Sequence, residues 1–314
     1  MSGYKVMDAL AKPKLAVAYS GGADSTALLI DTCLQYPHQT IAFHIHHGLQ
    51  VAADDFVRHC QNFCQARGVP LHVAYVNAKH VAGESPEDAA RGARYKALID
   101  LAQVHGVVES KGRVLLAQHA DDQVETLLLA LSRGAGLGGL SAMPAKFERG
   151  GVQFERPMLD QKAADIRAKL KADSIAFIED PTNLEKTFTR NKIRLDVLPS
   201  LQAAFPEYAA TFARSISHIA EANDLLAELA GIDLAEVGIP PRIKDLQALE
   251  IHRQANAIRF WLKSMHSAVP STVQLNELLK QITACQTRGH QIYLKVAMGF
   301  VSRREAVLSY NHEL

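Results

Sequence analysis

Six residues, Ser20-Gly21-Gly22-Ala23-Asp24-Ser25, follow directly on the apolar run Lys14–Tyr19 and lead into a helical periodicity. Adjacent glycines let a backbone turn sharply and bring its N–H groups against an anion. A helix behind the turn adds unpaired N–H groups and the positive end of its dipole. The hydroxyls of Ser20 and Ser25 can donate to phosphate oxygens, and Asp24 among phosphate ligands implies a bridging Mg²⁺. A structural strand-to-helix turn, with Ser20 or Asp24 as N-cap, is the alternative. The loop lacks the Gly-x-x-x-x-Gly-Lys-Ser/Thr pattern that sends a lysine to a γ-phosphate, and it lacks the Gly-x-Gly-x-x-Gly of dinucleotide sites.

A second constellation starts at Gln118-His119-Ala120-Asp121-Asp122-Gln123-Val124-Glu125-Thr126. Val124, Leu127, Leu128 and Leu131 recur at i, i+3, i+4 and i+7, which predicts an amphipathic helix with its apolar stripe on the sheet. Asp122 and Glu125 share a face of that helix. Paired carboxylates suit a cationic amine that must be held and then deprotonated, although dipole-favouring caps are the plainer reading. Arg133 heads the glycine-rich stretch Gly134–Gly139, read as a mobile connector or as a place where a polynucleotide backbone approaches closely. Arg190 and Arg194 lie four apart on an expected helix whose other face carries Ile193, Val197 and Leu198. With Lys186 and Lys192 they form a basic cluster, either a solvated face or a phosphate grip. His44 and His46 share a strand face, but no Cys or carboxylate stands beside them to complete a zinc site.

These residues need a scaffold, and the pattern supplies one. Lys14–Tyr19, Thr40–Ile45, Leu71–Val76 and Val114–Ala117 read as short buried strands. Helices are expected at Asp24–Gln35, Ala53–Arg67 (closed by Gly68 and Pro70) and Pro86–His105 (opened by Ser85). This alternation predicts an α/β fold, a parallel sheet with helices on both faces, whose ligands sit beyond the carboxyl ends of the strands. From about Pro206 the pattern turns mostly helical, over Tyr208–Ala230, Arg242–Ser264 and Thr272–Thr283. Two β-like runs follow, Gln291–Val296 and Ala306–Tyr310. The expected domains are 1–206, catalytic, and 207–314, smaller and mostly helical.

The 314 residues suit two domains at ~150 residues each. Apolar residues are 48% and charged residues 21%, which excludes disordered and disulfide-scaffold classes. A net charge of +1 leaves nucleic-acid binding to local patches. Cys33, Cys60, Cys64 and Cys285 show no CxxC spacing, and no run is long enough to span a membrane. A reduced, cytoplasmic protein is expected.

Ser20–Ser25 resembles the PP-loop of the N-type ATP pyrophosphatases, which hold the β,γ-pyrophosphate of ATP and leave the α-phosphorus open to attack. Three further stretches narrow the likeness: Phe43–Leu49, Gln118–Thr126 with Leu131–Leu140, and Glu179–Asn183 with Arg190–Arg194. In this order and spacing, over roughly Lys14 to Leu201, they resemble the tRNA(Ile)-lysidine synthetase family. The resemblance implies adenylation of C2 of the wobble cytidine of a CAU-anticodon isoleucine tRNA, followed by coupling of L-lysine and release of AMP. ATP and Mg²⁺ would be held at Ser20, Gly21, Gly22, Ala23, Asp24 and Ser25, with His47 near the nucleotide. Lysine recognition falls on Asp122 and Glu125, and Arg190 and Arg194 on ATP or tRNA phosphates. Arg91, Arg94 and Tyr95 fit a tRNA-contacting pattern, as does Arg133. The family commonly has Asn at the position of His46 and often His at that of Gln118, which leaves those two roles open. Both a monomer and a homodimer are open. The competing readings are a PP-loop tRNA thiolase, another adenylating synthetase of amidotransferase type, and a nucleotide-binding sensor. A thiolase needs reactive or cluster-binding cysteines, whereas Cys60 and Cys64 fall inside a helix.

Overall fold

The computed structural model describes residues 12–46, 53–76, 86–287 and 289–312. The chain divides into two compact units, residues 1–217 and 218–314.

The first unit opens with β1 (Leu15–Ala18), α1 (Ala23–Gln35), β2 (Thr40–His46), α2 (Ala53–Ala66), β3 (Leu71–Tyr75), α3 (Pro86–Val104) and β4 (Arg113–Leu115). Alternate residues of β1 serve two cores. Leu15, Val17 and Tyr19 pack with Ala27 and Leu28 of α1 and Phe63 of α2. Ala16 faces Phe43, Leu98, Val114 and Phe154 on the other side. A strand covered on both faces carries no polar residue, which is why Leu-Ala-Val-Ala reads as one short apolar run. Helix α2 closes as expected at Gly68, which takes φ +64°, with Val69 N–H donating to the Cys64 carbonyl. Ser85 lies outside the described residues.

Next come α4 (Ala120–Ser132), α5 (Leu137–Leu140), β5 (Lys146–Arg149), β6 (Val152–Glu155) and α6 (Ala163–Ala172). A 3-10 turn at Pro181–Leu184, α7 (Thr189–Lys192), a π-helical turn at Ile193–Val197 and α8 (Leu198–Ala204) complete the set. The sheet order is β3-β2-β1-β4-β6-β5. The expectation of an all-parallel sheet is corrected at one edge, where β5 runs antiparallel to β6. Gly150 and Gly151, both at positive φ, make the two-residue hairpin that joins them. Three further expectations change. The stripe of α4 does not face the sheet: Val124 and Leu128 pack on Leu198, Tyr208 and Ala209, and Leu131 is exposed. The glycine-rich stretch contains one helical turn, α5, rather than a plain connector. The helix expected through Arg190 and Arg194 is present over residues 189–204 but widens into one π-helical turn at Ile193–Val197.

β1 pairs with β2 on one side and β4 on the other. Strand order reverses there, so a crevice opens at the carboxyl ends of β1 and β4. The register Leu15↔Arg113, Ala16↔Val114, Val17↔Leu115, carried past the strand ends, sets Ser20 alongside Gln118.

Helix α9 (Tyr208–Val237) runs from the first unit into the second. The second unit continues with α10 (Ile243–Ala248), α11 (Ile251–His266), α12 (Thr272–Ala284), β7 (Tyr293–Val296), β8 (Gly299–Arg304) and β9 (Val307–His312). Its own core centres on Trp261, Leu262, Leu275, Leu278 and Val301. The single helix expected over Arg242–Ser264 is two helices, split at the extended residues Leu249 and Glu250. Gln254 donates to the Leu249 carbonyl and so satisfies the first helix's end. Strand β8 has no counterpart in the sequence reading, because Ser302, Arg303 and Arg304 mask its period.

Candidate active site

The Ser20–Ser25 turn stands at the mouth of the crevice. Gly21 takes φ +87°, and a Cβ there would lie 3.1 Å from Cys60 Sγ, so only glycine turns here without strain. Gly22 takes an ordinary φ of −75° as the N-cap of α1, and a Cβ would meet nothing nearer than Ser20 Oγ at 3.5 Å. Neither backbone strain nor packing therefore demands glycine at this position. Ser20 Oγ and Ser25 Oγ lie 3.0 Å apart, and Ser25 Oγ donates to the Gly22 carbonyl at 3.1 Å. Ile178 N–H holds the Gly21 carbonyl at 2.9 Å, which ties the turn to the segment before Asp180. Ala23 is buried beneath the helix start. Ser20, Gly22, Asp24, Ser25, Arg94 and Gln118 line one cavity of about 220 Å³, with Phe43 and Leu116 among its apolar walls.

Asp24 Oδ1 is buried without a hydrogen-bond partner among the described residues. Burial raises the Asp24 pKa, His119 opposes the rise and Asp122 adds to it. An unpaired carboxylate oxygen beside a phosphate-binding turn fits Mg²⁺, which takes one or two carboxylates and completes its shell with phosphate oxygens and water. Among the described residues no cluster of three or more His, Cys, Asp or Glu is arranged to hold a metal by itself.

Asp122 and Glu125 are brought together with Arg190 and Arg194. Glu125 is fully buried and takes Arg190 Nε at 2.6 Å and Arg194 Nε at 2.7 Å. Arg194 Nη2 also reaches Asp122 Oδ1 at 3.2 Å. Burial alone would lower the Arg194 pKa, but Glu125 and Asp122 outweigh it and the guanidinium is held above its ordinary value. Between this cluster and the turn stands His119, 5% exposed, with Nε2 at 3.7 Å from Asp24 and 3.4 Å from Asp122. Its Nδ1 accepts from Asp122 N–H while Asp122 Oδ2 takes His119 N–H, a reciprocal cap that starts α4. His119 carries no signal of its own in the sequence, because the contact that joins it to the turn is with Asp24, far along the chain. Asp121 is structural: it accepts Ala163 N–H at 2.8 Å and Tyr208 Oη–H at 2.6 Å.

The third stretch positions the arginines. Asp180 caps the 3-10 turn through Thr182 N–H and hydroxyl, and Asn191 Nδ2 donates to the Thr182 and Glu185 carbonyls. The remaining expected residues are dispersed. Arg94 joins the cavity, whereas Arg91 is exposed outside its lining. Arg133 is exposed at the far end of α4, roughly 20 Å along the helix from its start. Tyr95 packs edge-on to Phe147 and Phe154 and accepts from Arg156. His47 lies outside the described residues. His44 is buried, with Nδ1 2.9 Å from the Tyr19 carbonyl, a structural contact. Cys60 and Cys64 are buried in the core, and burial pushes both thiols up to about 12. Neither is available as a thiolate.

A PP-loop domain model matches residues 3–201, and a TilS substrate binding domain model matches residues 242–308. The tRNA(Ile)-lysidine synthase of Polaromonas naphthalenivorans is 58% identical over 297 residues, 95% of this chain and 89% of that protein. That of Bordetella bronchiseptica is 38% identical, covering 91% of this chain and 85% of its own. That of Pseudomonas aeruginosa is 43% identical over 78% of this chain, which spans 58% of the longer relative. Among solved structures, the U34-tRNA thiolase NcsA from Methanococcus maripaludis aligns with a TM-score of 0.57 at 15% identity, over 68% of this chain and 74% of that one. At that identity the likeness is one of fold. The PP-loop at a strand-order reversal, the acid–arginine cluster beside it and the extent of these matches place the chain in the tRNA(Ile)-lysidine synthase family.

Proposed function

We propose that the chain joins L-lysine to C2 of the wobble cytidine of a CAU-anticodon tRNA(Ile), using ATP and Mg²⁺, and that Asp24, Asp122, Glu125, Arg190 and Arg194 carry the chemistry. The observation that supports this most is the position of His119. It links the phosphate turn to the carboxylate pair, so nucleotide and amine sites are one site.

In the first step the Ser20–Ser25 turn grips the β and γ phosphates of ATP. Cytidine O2 attacks the α-phosphorus, and pyrophosphate leaves toward the N–H groups at the start of α1, which are oriented before charge develops. Mg²⁺ held at Asp24 would neutralise part of the pyrophosphate charge. In the second step the lysine ε-amine, having given its proton to Asp122, attacks C2. The C2–O2 bond breaks and AMP departs with the oxygen. Glu125, enclosed by two guanidiniums, holds them in place more readily than it accepts a proton. Phosphates compete for Arg190 and Arg194 while the ammonium competes for the carboxylates, an exchange of partners that conserves charge.

The anticodon loop suits this chemistry because its splayed bases expose their edges. We assign residues 207–314 to tRNA binding, and Arg91 and Arg133 to contacts with RNA outside the cavity. No helix among the described residues is long and apolar enough to cross a membrane; a tRNA substrate favours a cytoplasmic reaction. Incubation with labelled lysine, ATP and the two CAU-anticodon tRNAs is the test. Label in the isoleucine species alone supports the reading; label in neither species or in the methionine species contradicts it.

A further inference from the structure

Arg156, at the end of β6, is 7% exposed and has no carboxylate in ion-pair contact among the described residues. It donates only to neutral acceptors: Nε to Gln118 Oε1 at 2.9 Å, Nη1 to the Pro144 carbonyl at 2.6 Å and Nη2 to Tyr95 Oη at 3.1 Å. Its plane also lies over the Phe147 ring at 4.4 Å. A buried cation without a counter-ion is costly, and chains keep one where its field or its hydrogen bonds are used. Burial lowers the Arg156 pKa, in keeping with that cost.

The use is legible at Gln118. Guanidinium has no acceptor, so the amide oxygen of Gln118 must face Arg156 and its nitrogen must face away. Gln118 lines the same cavity as Ser20, Asp24 and Arg94 and stands beside Ser20 across the strand-order reversal. Its Nε2 has no hydrogen-bond partner among the described residues.

We propose that Gln118 Nε2–H donates to a non-bridging oxygen of the α-phosphoryl group, and that Arg156 is the positioning residue that fixes the amide in this orientation. This rests on the reading above that Ser20–Ser25 seats the two outer phosphates, which leaves the α-phosphate to the opposite wall of the crevice. As cytidine O2 adds, charge grows on the α-phosphoryl oxygens, and a donor held there before reaction acts on the transition state more than on binding. A histidine at this position preserves the arrangement, since one ring nitrogen accepts from Arg156 and the other donates.

The test compares Gln118→Leu, Gln118→His, Arg156→Gln and the double variant Gln118→Leu/Arg156→Gln in the full chain. Pyrophosphate release is followed with ATP, lysine and tRNA, and ³¹P spectra are taken of bound ATP alone. Gln118→Leu is expected to lower the rate of pyrophosphate release on the order of 10²-fold with little change in ATP affinity, and to move the α-phosphorus resonance but not β or γ. Arg156→Gln is expected to do the same, Gln118→His to retain most activity, and the double variant to be no worse than the worse single. Multiplicative losses, or an unmoved α-phosphorus resonance in Gln118→Leu, would overturn the proposal. Should Arg156→Gln fail to fold, Gln118→Leu and Gln118→His decide alone. Failure of the underlying reading shows separately, as wild-type chain that forms ADP and phosphate or releases no pyrophosphate.

Discussion

At Gly21 and Gly22 two identical residues do different work. Alanine at Gly21 must adopt φ +87° against Cys60 Sγ, and left-handed backbone costs about 1–2 kcal/mol for a residue with a Cβ. Gly21→Ala is expected to lower the melting temperature and ATP binding together. Gly22→Ala, at an ordinary φ, is expected to lower ATP binding with little thermal effect. Melting with and without ATP separates the two, and equal thermal losses would count against the assignment. Glu125→Gln keeps the shape of a fully buried side chain but leaves Arg190 and Arg194 facing a neutral amide. It is expected to raise the lysine requirement at least tenfold and to destabilise by a few kcal/mol. Unchanged lysine dependence would show that the carboxylate has no part in amine binding. Asp24, Ser20 and Ser25 were legible in the sequence because a contiguous turn carries its own geometry. Arg156 and His119 were not, since Arg156 acquires meaning only beside Gln118, 38 positions away, and His119 beside Asp24.

The elements explain what the local pattern could and could not convey. Among the four strands of the first half β1 was plainest, because burial on both faces leaves Leu15–Ala18 no polar residue, whereas β2 and β3 keep enough apolar residues to read as strands although His44, His46 and His72 interrupt them. The β5–β6 hairpin was not, since Lys146–Arg149 is nearly all exposed and only Val152 and Phe154 keep the period. The π-helical turn at Ile193–Val197 leaves no trace in residue type. Strand β1 makes a sharp demand on its neighbour: a Cβ at Gly112 would lie 1.9 Å from the Lys14 carbonyl oxygen. Gly112→Ala must part the start of β4 from β1, and is expected to lower the urea midpoint by more than any exposed alanine substitution. Two stacked imidazoles, His72 and His105, lie 3.5 Å apart at the other end of the sheet. Burial, then His105 and Lys14, lower the His72 pKa, and burial lowers those of His44 and His59. The unfolded chain therefore binds protons first as pH falls. Stability is full above about 6.5, the unfolded value, and declines as pH drops from there toward the folded values. Urea titrations between pH 7.5 and 5 are expected to show this slope, reduced in His72→Gln. A slope that His72→Gln leaves unaltered would remove His72 from the account.

For the whole molecule, two separate cores mean that ligand linkage should be uneven. ATP with Mg²⁺ at a hundred times its dissociation constant adds about 2.7 kcal/mol to whatever binds it. Hydrogen exchange is expected to slow across β1, α1 and β4 and to change little in α11, α12 and β7–β9; uniform protection would contradict a nucleotide site built by the first unit. A change of period near Pro206 marks the passage to a mostly helical part, whereas the compact units part between residues 217 and 218, inside α9. The three-stranded meander was seen only at its outer strands, because Ser302, Arg303 and Arg304 follow Phe300 and Val301 in β8 and hide its period.

The most direct measurement follows the phosphates of doubly labelled ATP, α and γ, as tRNA(Ile) and lysine are added in turn. Pyrophosphate is expected to be released on adding tRNA, with the α-phosphate retained on the RNA, and AMP only after lysine arrives. Release of inorganic phosphate with ADP, or AMP without lysine, would contradict that expectation.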